Sequence, residues 1–302
     1  MLHKDHYMCH NPRIVAVVIT YNRQELLMAT LSALLAQTVK LDCIYVIDNA
    51  SEDGTQNAVT DLANRVPAIR YHRLTENSGG SGGFYSGIHL AYEDGAELIW
   101  GMDDDACPES GALAVLLKER TKFPENTVMW SNIVMRDTSG NQIVHWRTFS
   151  AAVQEERGFT FVGFLLPRSV IGEIGFPRAD LFILYDEAEY SDRIRRAGYR
   201  IMRCRESKIN HPYINSLESR RWCGITFRTL KMSNWKWYYF IRNGILIYSW
   251  RDPRKYRLLL LSLWIAIKSL LVDRENLTMI LFGLFDGLRG KAGKLQVLMK
   301  GK

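Results

Sequence analysis

Residues 99–109 read IWGMDDDACPE, with three aspartates soon after the apolar run Leu98-Ile99-Trp100. Adjacent carboxylates repel one another, and burial sharpens the repulsion. A divalent cation with hard oxygen ligands relieves it, and so does plain solvent if the run is an exposed turn. In an extended segment Asp103 and Asp105 point the same way and can share one Mg²⁺ or Mn²⁺ that also takes substrate diphosphate oxygens. A second candidate is ENSGGSGGF (76–84), with glycines at 79, 80, 82 and 83. Such a loop lets backbone approach a ligand, with the N–H groups of the following helix behind it. It is neither GxGxxG nor a Walker loop, and a merely flexible loop is the alternative. In LYDEAEYSDRIRRAGYR (184–200), Asp186, Glu187 and Glu189 sit near the start of a helical pattern. Negative charge there suits the helix dipole, while one carboxylate with a free face would serve as a general base. Asp186 and Glu187 are neighbours and cannot face the same way. His211 follows a strand-like run and becomes a third metal ligand if the chain brings it back to the aspartates.

The elements that must position these groups are legible as an alternation. RIVAVVITYN (13–22), LDCIYVIDNAS (41–51), AIRYHRL (68–74) and AELIWGMDDD (96–105) read as strands. Helical spacing follows in RQELLMATLSALLAQ (23–37), EDGTQNAVTDLANRV (52–66) and FYSGIHLAYEDG (84–95). This order predicts an α/β fold, a parallel sheet flanked by helices. Ligands bind such sheets beyond the carboxyl ends of the strands. Tyr21-Asn22, Asp48-Asn49, Asn77 to Gly83 and Asp103 to Asp105 all fall there.

The 302 residues are 47% apolar and 24% charged, which suits a globular chain with a substantial core. Five cysteines without a CxxC pair read as free thiols in a reducing compartment. Residues 1–12 form a polar tail without a signal-peptide core. His3, His6, Cys9 and His10 are a possible metal set or simply part of a frayed end. The net charge of +7 is unevenly placed: residues 220–302 carry 17 Lys/Arg against 4 Asp/Glu, and residues 1–219 carry 22 against 28. That asymmetry calls for an anionic partner. WKWYYF (235–240), RDPRKYR (251–257), LLLLSLWIAIKSLLV (258–272) and LTMILFGLFDGLRGKAGK (277–294) combine aromatic, basic and apolar residues. The apolar run is short for a spanning helix, and the mixture fits an interfacial membrane element. A packed helical subdomain or a dimer interface would use the same residues. Nucleic acid is disfavoured by the apolar content.

Taken in order, VVITYNR, VIDNASEDGT, NSGGSGGF, WGMDDD, FILYDEAEYSDRIRRAGYR and INHP resemble a family 2 inverting glycosyltransferase. The resemblance spans about residues 13–250. It implies the GT-A fold, a Rossmann-like, mostly parallel sheet flanked by helices. NxGGxGGF with MDDD is most similar to bacterial galactofuranosyltransferases, and YYFIRN (238–243) resembles an element of rhamnosyltransferases. The expected organisation is a tail (1–12), a catalytic domain (13–222) and a basic, helical, membrane-associating region (223–302). The resemblance implies that Thr20 and Asn22 line the nucleotide pocket, with Asp48 on the uracil. Asn77, Gly79 and Gly80 would lie near the ribose and donor sugar. Asp103, Asp105 and His211 would hold Mn²⁺ or Mg²⁺, with Asp104 beside them. The acidic pair falls on Asp186 and Glu187, and the base position, usually Asp, is Glu187 here. The implied activity is transfer of galactofuranose from its UDP donor to a lipid-linked or cell-envelope glycan. The implied place is the inner face of a bacterial plasma membrane. Rhamnosyl or other hexosyl transfer is the rival on the same fold, and a non-catalytic membrane-bound scaffold the rival of another class. Trp130, Trp146 and Trp222 would stack on acceptor sugars or pack in the core. Self-association is left open.

Overall fold

The computed structural model describes residues 12–295 except 138, 144–149, 214–216, 223–224 and 273. The chain opens with β1 (Ile14–Thr20), buried along its whole length, as a central strand covered on both faces must be. Then come α1 (Gln24–Leu35), β2 (Cys43–Asp48), α2 (Thr55–Arg65), β3 (Ile69–Arg73), α3 (Gly79–Glu93) and β4 (Leu98–Asp103). Their strands lie parallel in the order β3-β2-β1-β4. The glycine-rich stretch is the first turns of α3 rather than a loop. A Cβ on Gly87 would fall 2.3 Å from Val17 Cγ1, so the bare backbone is what lets α3 lie close on β1.

The second half interrupts this parallel order without ending it. The second half adds β5 (Cys107–Pro108), α4 (Ala112–Arg120), β6 (Val128–Arg136), β7 (Val153–Glu155), β8 (Phe164–Pro167), α5 (Arg168–Ile174), α6 (Asp186–Arg196) and β9 (Ile201–Pro212). β8 inserts antiparallel between β4 and β6, and β5 and β7 pair antiparallel with β9, but β6 and β9 pair parallel and run with β1 to β4, so the sheet is mostly parallel as expected. The described strands thus form a mixed nine-stranded sheet. Antiparallel entry of β8 needs no crossover helix, which is why the βα rhythm breaks after residue 105. One apolar cluster packs on each face, centred on Leu31 and Trp100 on one side and on Phe84 and Phe164 on the other.

A hairpin of β10 (Leu217–Trp222) and β11 (Ile225–Leu230) spans the expected boundary at 222/223. The helices begin after it, with α7 (Asn234–Leu246), α8 (Pro253–Val272) and α9 (Arg274–Leu288). They share a third apolar cluster around Tyr239, Ile241 and Ile280, which includes Phe182 from the segment before α6. Among the described residues no helix is long and apolar enough to cross a membrane. The outer faces of α8 and α9 nevertheless expose Leu260, Trp264, Ile267 and Phe285. Cys43, Cys107 and Cys204 are free thiols. Cys9, Cys223 and the histidines of the tail lie outside the described residues.

Candidate active site

β4 ends at Asp103, and the chain then turns, with Ala106 N–H donating to Asp103 O. The segment after Asp103 is therefore a turn, not the extended run considered for it. Thr20 Oγ1 donates to Asp104 Oδ2 at 2.8 Å. Arg23 Nη1 reaches Asp104 Oδ1 at 3.2 Å and Asp105 Oδ2 at 3.0 Å. The short strand β5 pairs Cys107 with Asn210 of β9, and this returns His211 to the acidic turn. His211 Nε2 lies 3.1 Å from Asp105 Oδ1. Burial would raise Asp105, but His211 and Arg23 outweigh it and hold that carboxyl below its usual range. Burial also opposes charge on His211, and Asp105 overcomes it, raising the imidazole. Asp103 behaves in the opposite way. Burial first, then the charges of Asp105, Glu187 and Asp104, push it well above the carboxylate range. The charge of His211 opposes that rise without reversing it.

Asp186 and Glu187 open α6. Asp186 is buried and accepts from Ser81 Oγ at 2.8 Å, so it is tied to the first turn of α3. Burial raises its pKa. Glu187 Oε1 accepts from Phe161 N–H at 2.6 Å. Desolvation followed by the Asp186 charge pushes its carboxyl up to about 8. A carboxylate so destabilised is a strong base near neutral pH.

A cavity of about 540 Å³ opens at the carboxyl ends of β1 and β4. Thr20, Asn77, Gly79, Gly80, Asp103 and Asp104 stand on its wall. Asp105 and His211 lie behind the acidic turn. Asn22 and Asp48 are not on the wall. The Asn22 carboxamide oxygen accepts from Glu52 N–H, and Asp48 is fully buried, accepting from Tyr71 Oη and Ser51 N–H. Glu187 lines a second, polar cavity of about 820 Å³, with Thr160, Ser191, Arg195, Tyr248 and Arg254. Trp130 is buried, its indole N–H donating to Val162 O, so it packs in the core rather than stacking on sugars. Trp146 and the Trp222 side chain lie outside the described residues.

Sequence reasoning missed four wall residues that matter. Arg23, the cation facing the acidic turn, sits one residue past the quoted Tyr21-Asn22, and its position at a strand end was the available signal. Trp235, Lys236 and Tyr239 come from α7 and complete the cavity wall. They belong to the aromatic cluster read above as part of an appendage.

A divalent cation is tested by the atoms themselves. Among the described residues no three carboxylate, imidazole or thiolate groups form a ready-made cluster. Asp105 Oδ1 is nevertheless buried without a hydrogen bond, beside His211, and Asp103 is crowded by like charge. Hard oxygens and one imidazole with an unfilled acceptor fit Mn²⁺ or Mg²⁺.

A mostly parallel sheet ending in an acidic turn beneath a cavity is the architecture of a GT-A glycosyltransferase. Residues 15–179 match the profile of Glycosyl transferase family 2, and the chain belongs to that family. It is 32% identical over 215 residues to galactofuranosyltransferase GlfT1 of Mycobacterium tuberculosis strain H37Rv, covering 66% of this chain and 70% of that protein. It is 26% identical over 162 residues to the undecaprenyl-phosphate mannosyltransferase of Micrococcus luteus, covering 53% and 60%. In fold it is similar to the mannosyltransferase PcManGT of Pyrobaculum calidifontis, solved with GDP-Man and Mn²⁺. That match has a TM-score of 0.55 and 16% identity, covering 95% of this chain and 77% of the other.

Proposed function

We propose that the protein transfers galactofuranose from UDP-galactofuranose, with inversion, to a lipid-linked or cell-envelope glycan. The observation that carries this reading is the 540 Å³ cavity, which joins Thr20, Asn77, Gly79, Gly80 and Asp103, with Glu187 within electrostatic reach of Asp103. The similarity to GlfT1 supports the choice of donor. In the reaction, the Glu187 carboxylate takes the proton of an acceptor hydroxyl. The freed oxygen bonds to the anomeric carbon as the bond from that carbon to the diphosphate breaks, and UDP leaves with the electron pair. Phe161 N–H fixes the Glu187 rotamer, and Asp186 raises its basicity. The acceptor occupies the second cavity, whose wall Glu187 shares with Thr160, Ser191 and Arg195. A divalent ion held by Asp103, Asp105 and His211 would supply positive charge against the leaving diphosphate. Asp104, bound to Thr20 and Arg23, keeps the acidic turn in place.

The exposed apolar faces of α8 and α9 lie among basic residues, with Lys268 beside Trp264 and Arg289 over Phe285. This composition supports peripheral binding to an anionic inner membrane leaflet, where lipid-linked acceptors would be met. The mannosyltransferase relative favours one second reading, hexosyl transfer from another nucleotide sugar. Calorimetric titration with UDP-galactofuranose, UDP-galactopyranose, GDP-mannose and dTDP-rhamnose, each followed by a transfer assay, separates them. Transfer from the furanose donor is expected. Binding and transfer confined to another donor overturns the sugar assignment, and binding of none overturns the enzyme reading.

A further inference from the structure

Three residues just before the acidic pair sit where side chains rarely go. Phe182, Leu184 and Tyr185 have φ of 68°, 67° and 66°. A Cβ makes the left-handed region unfavourable, and three such residues within four positions persist only when the surroundings impose them. The surroundings are two fully buried polar side chains of α7, Arg242 and Asn243. Asn243 Nδ2 lies 2.9 Å from Leu181 O, 2.8 Å from Ile183 O and 2.9 Å from Leu184 O, sharing its two hydrogens among them. Arg242 Nη2 donates to Leu181 O at 2.9 Å, and its Nε donates to Asn243 Oδ1 at 2.8 Å, which orients the carboxamide. The rings of Tyr238 and Tyr239 flank the guanidinium, 5.2 and 4.8 Å from its carbon. On the other side the segment meets the donor cavity. Phe182 O accepts from Ser81 N–H, and a Cβ on Gly79 would lie 2.0 Å from it.

Two buried polar side chains spent on the carbonyls of one strained turn call for an explanation beyond packing, since an apolar contact would fill the space without desolvating them. The residues that follow the turn are Asp186 and Glu187. We propose that Arg242 and Asn243 are positioning residues: by holding 181–185 in its left-handed path they aim Glu187 at the reacting hydroxyl and keep Asp186 on Ser81. The inference rests on the reading of Glu187 as the base.

The test uses the full chain and single-turnover transfer. Asn243→Ala should lower kcat 10- to 100-fold, leave donor KM within about 2-fold, and displace the limb of the pH–kcat profile that reports the base. Leu184→Gly, which accepts positive φ freely, should bring kcat back to within about 3-fold of wild type in the Asn243→Ala background. Leu184→Val, which leaves Asn243 intact but resists positive φ, should lower kcat by itself. This variant tests the idea even if Asn243→Ala does not fold. If Leu184→Val retains wild-type kcat, or if Leu184→Gly deepens the Asn243→Ala defect in step with lost thermal stability, the inference is overturned. Glu187→Gln run alongside separates the two layers. An active Glu187→Gln removes the base assignment and this inference with it. An inactive Glu187→Gln beside normal Asn243→Ala and Leu184→Val overturns the positioning role alone.

Discussion

Replacing Glu187 with Gln should stabilise the metal-free protein while abolishing its catalysis, and the stabilisation should depend on pH. In the unfolded chain a glutamate ionises near 4.5, whereas in the folded protein burial and then Asp186 push Glu187 up to about 8. Between those values the folded state binds the proton that the unfolded state has released. Stability therefore falls as pH rises through this window, and the loss is complete above the folded pKa. A displacement of about 3.5 units at roughly 1.4 kcal/mol per unit is about 5 kcal/mol at pH 9, and close to nothing at pH 4.5. Gln keeps the acceptor for Phe161 N–H and removes the charge, so at pH 9 it should recover most of that difference. At about 2 °C per kcal/mol the rise in Tm is roughly 10 °C. The assay is thermal unfolding of both proteins in EDTA from pH 4.5 to 9, paired with single-turnover transfer at each pH in separate Mn²⁺-containing samples. Transfer should fall about 10²–10⁴-fold in the variant. A Tm difference that does not grow with pH, or a variant less stable than wild type at pH 9, refutes the reasoning.

Chelation by EDTA should abolish transfer and Mn²⁺ should restore it in wild type, while Asp105→Ala should respond weakly to added metal; full activity of Asp105→Ala in EDTA contradicts the ligand set. Gly79→Ala should destabilise the fold by about 1–3 kcal/mol in urea unfolding, because φ is +72° and the new Cβ meets Phe182 O at 2.0 Å. Unchanged stability would show that the 182 segment yields. Sedimentation with anionic vesicles should capture the protein at low salt, fade as salt rises, and weaken in Trp264→Ser with Phe285→Ser. Equal sedimentation with and without vesicles rules out the membrane surface.

The first half of the fold was legible because β1, β2 and β4 are nearly unbroken apolar runs ending in polar residues, as in AVVIT before Tyr21 or LIWGM before Asp103, while β3 (IRYHR) was read from its place in the alternation. The antiparallel insertion of β8 was not, because FLLP is four apolar residues without a period that fixes direction. At the site, Asp103 to Asp105, Asp186 and Glu187 announce themselves by crowding. Their partners do not. Arg23 is 81 positions from Asp104, and Asn243 is 62 from Leu181, and no local pattern records either contact. The turn at Phe182 to Tyr185 was invisible for a related reason. Left-handed backbone is signalled by Gly or Asn, and here it is imposed on Phe, Leu and Tyr by side chains two helices away.

The charge asymmetry between the two parts of the chain acquires a more specific sense from the cavity. The catalytic half brings Asp103 and Asp104 to the wall, and Arg23 is already engaged with Asp104 and Asp105. A diphosphate approaching that wall alone would meet mostly like charge. Lys236 and the rings of Trp235 and Tyr239 come from α7, beyond the hairpin. Burial, then the charge of Arg23, lowers the Lys236 ammonium. The same helix carries Arg242 and Asn243 to the turn before Glu187. One helix thus adds positive charge to the cavity wall and holds the turn before Glu187, and a chain cut before residue 234 would leave the cavity without that wall and the turn without its hold.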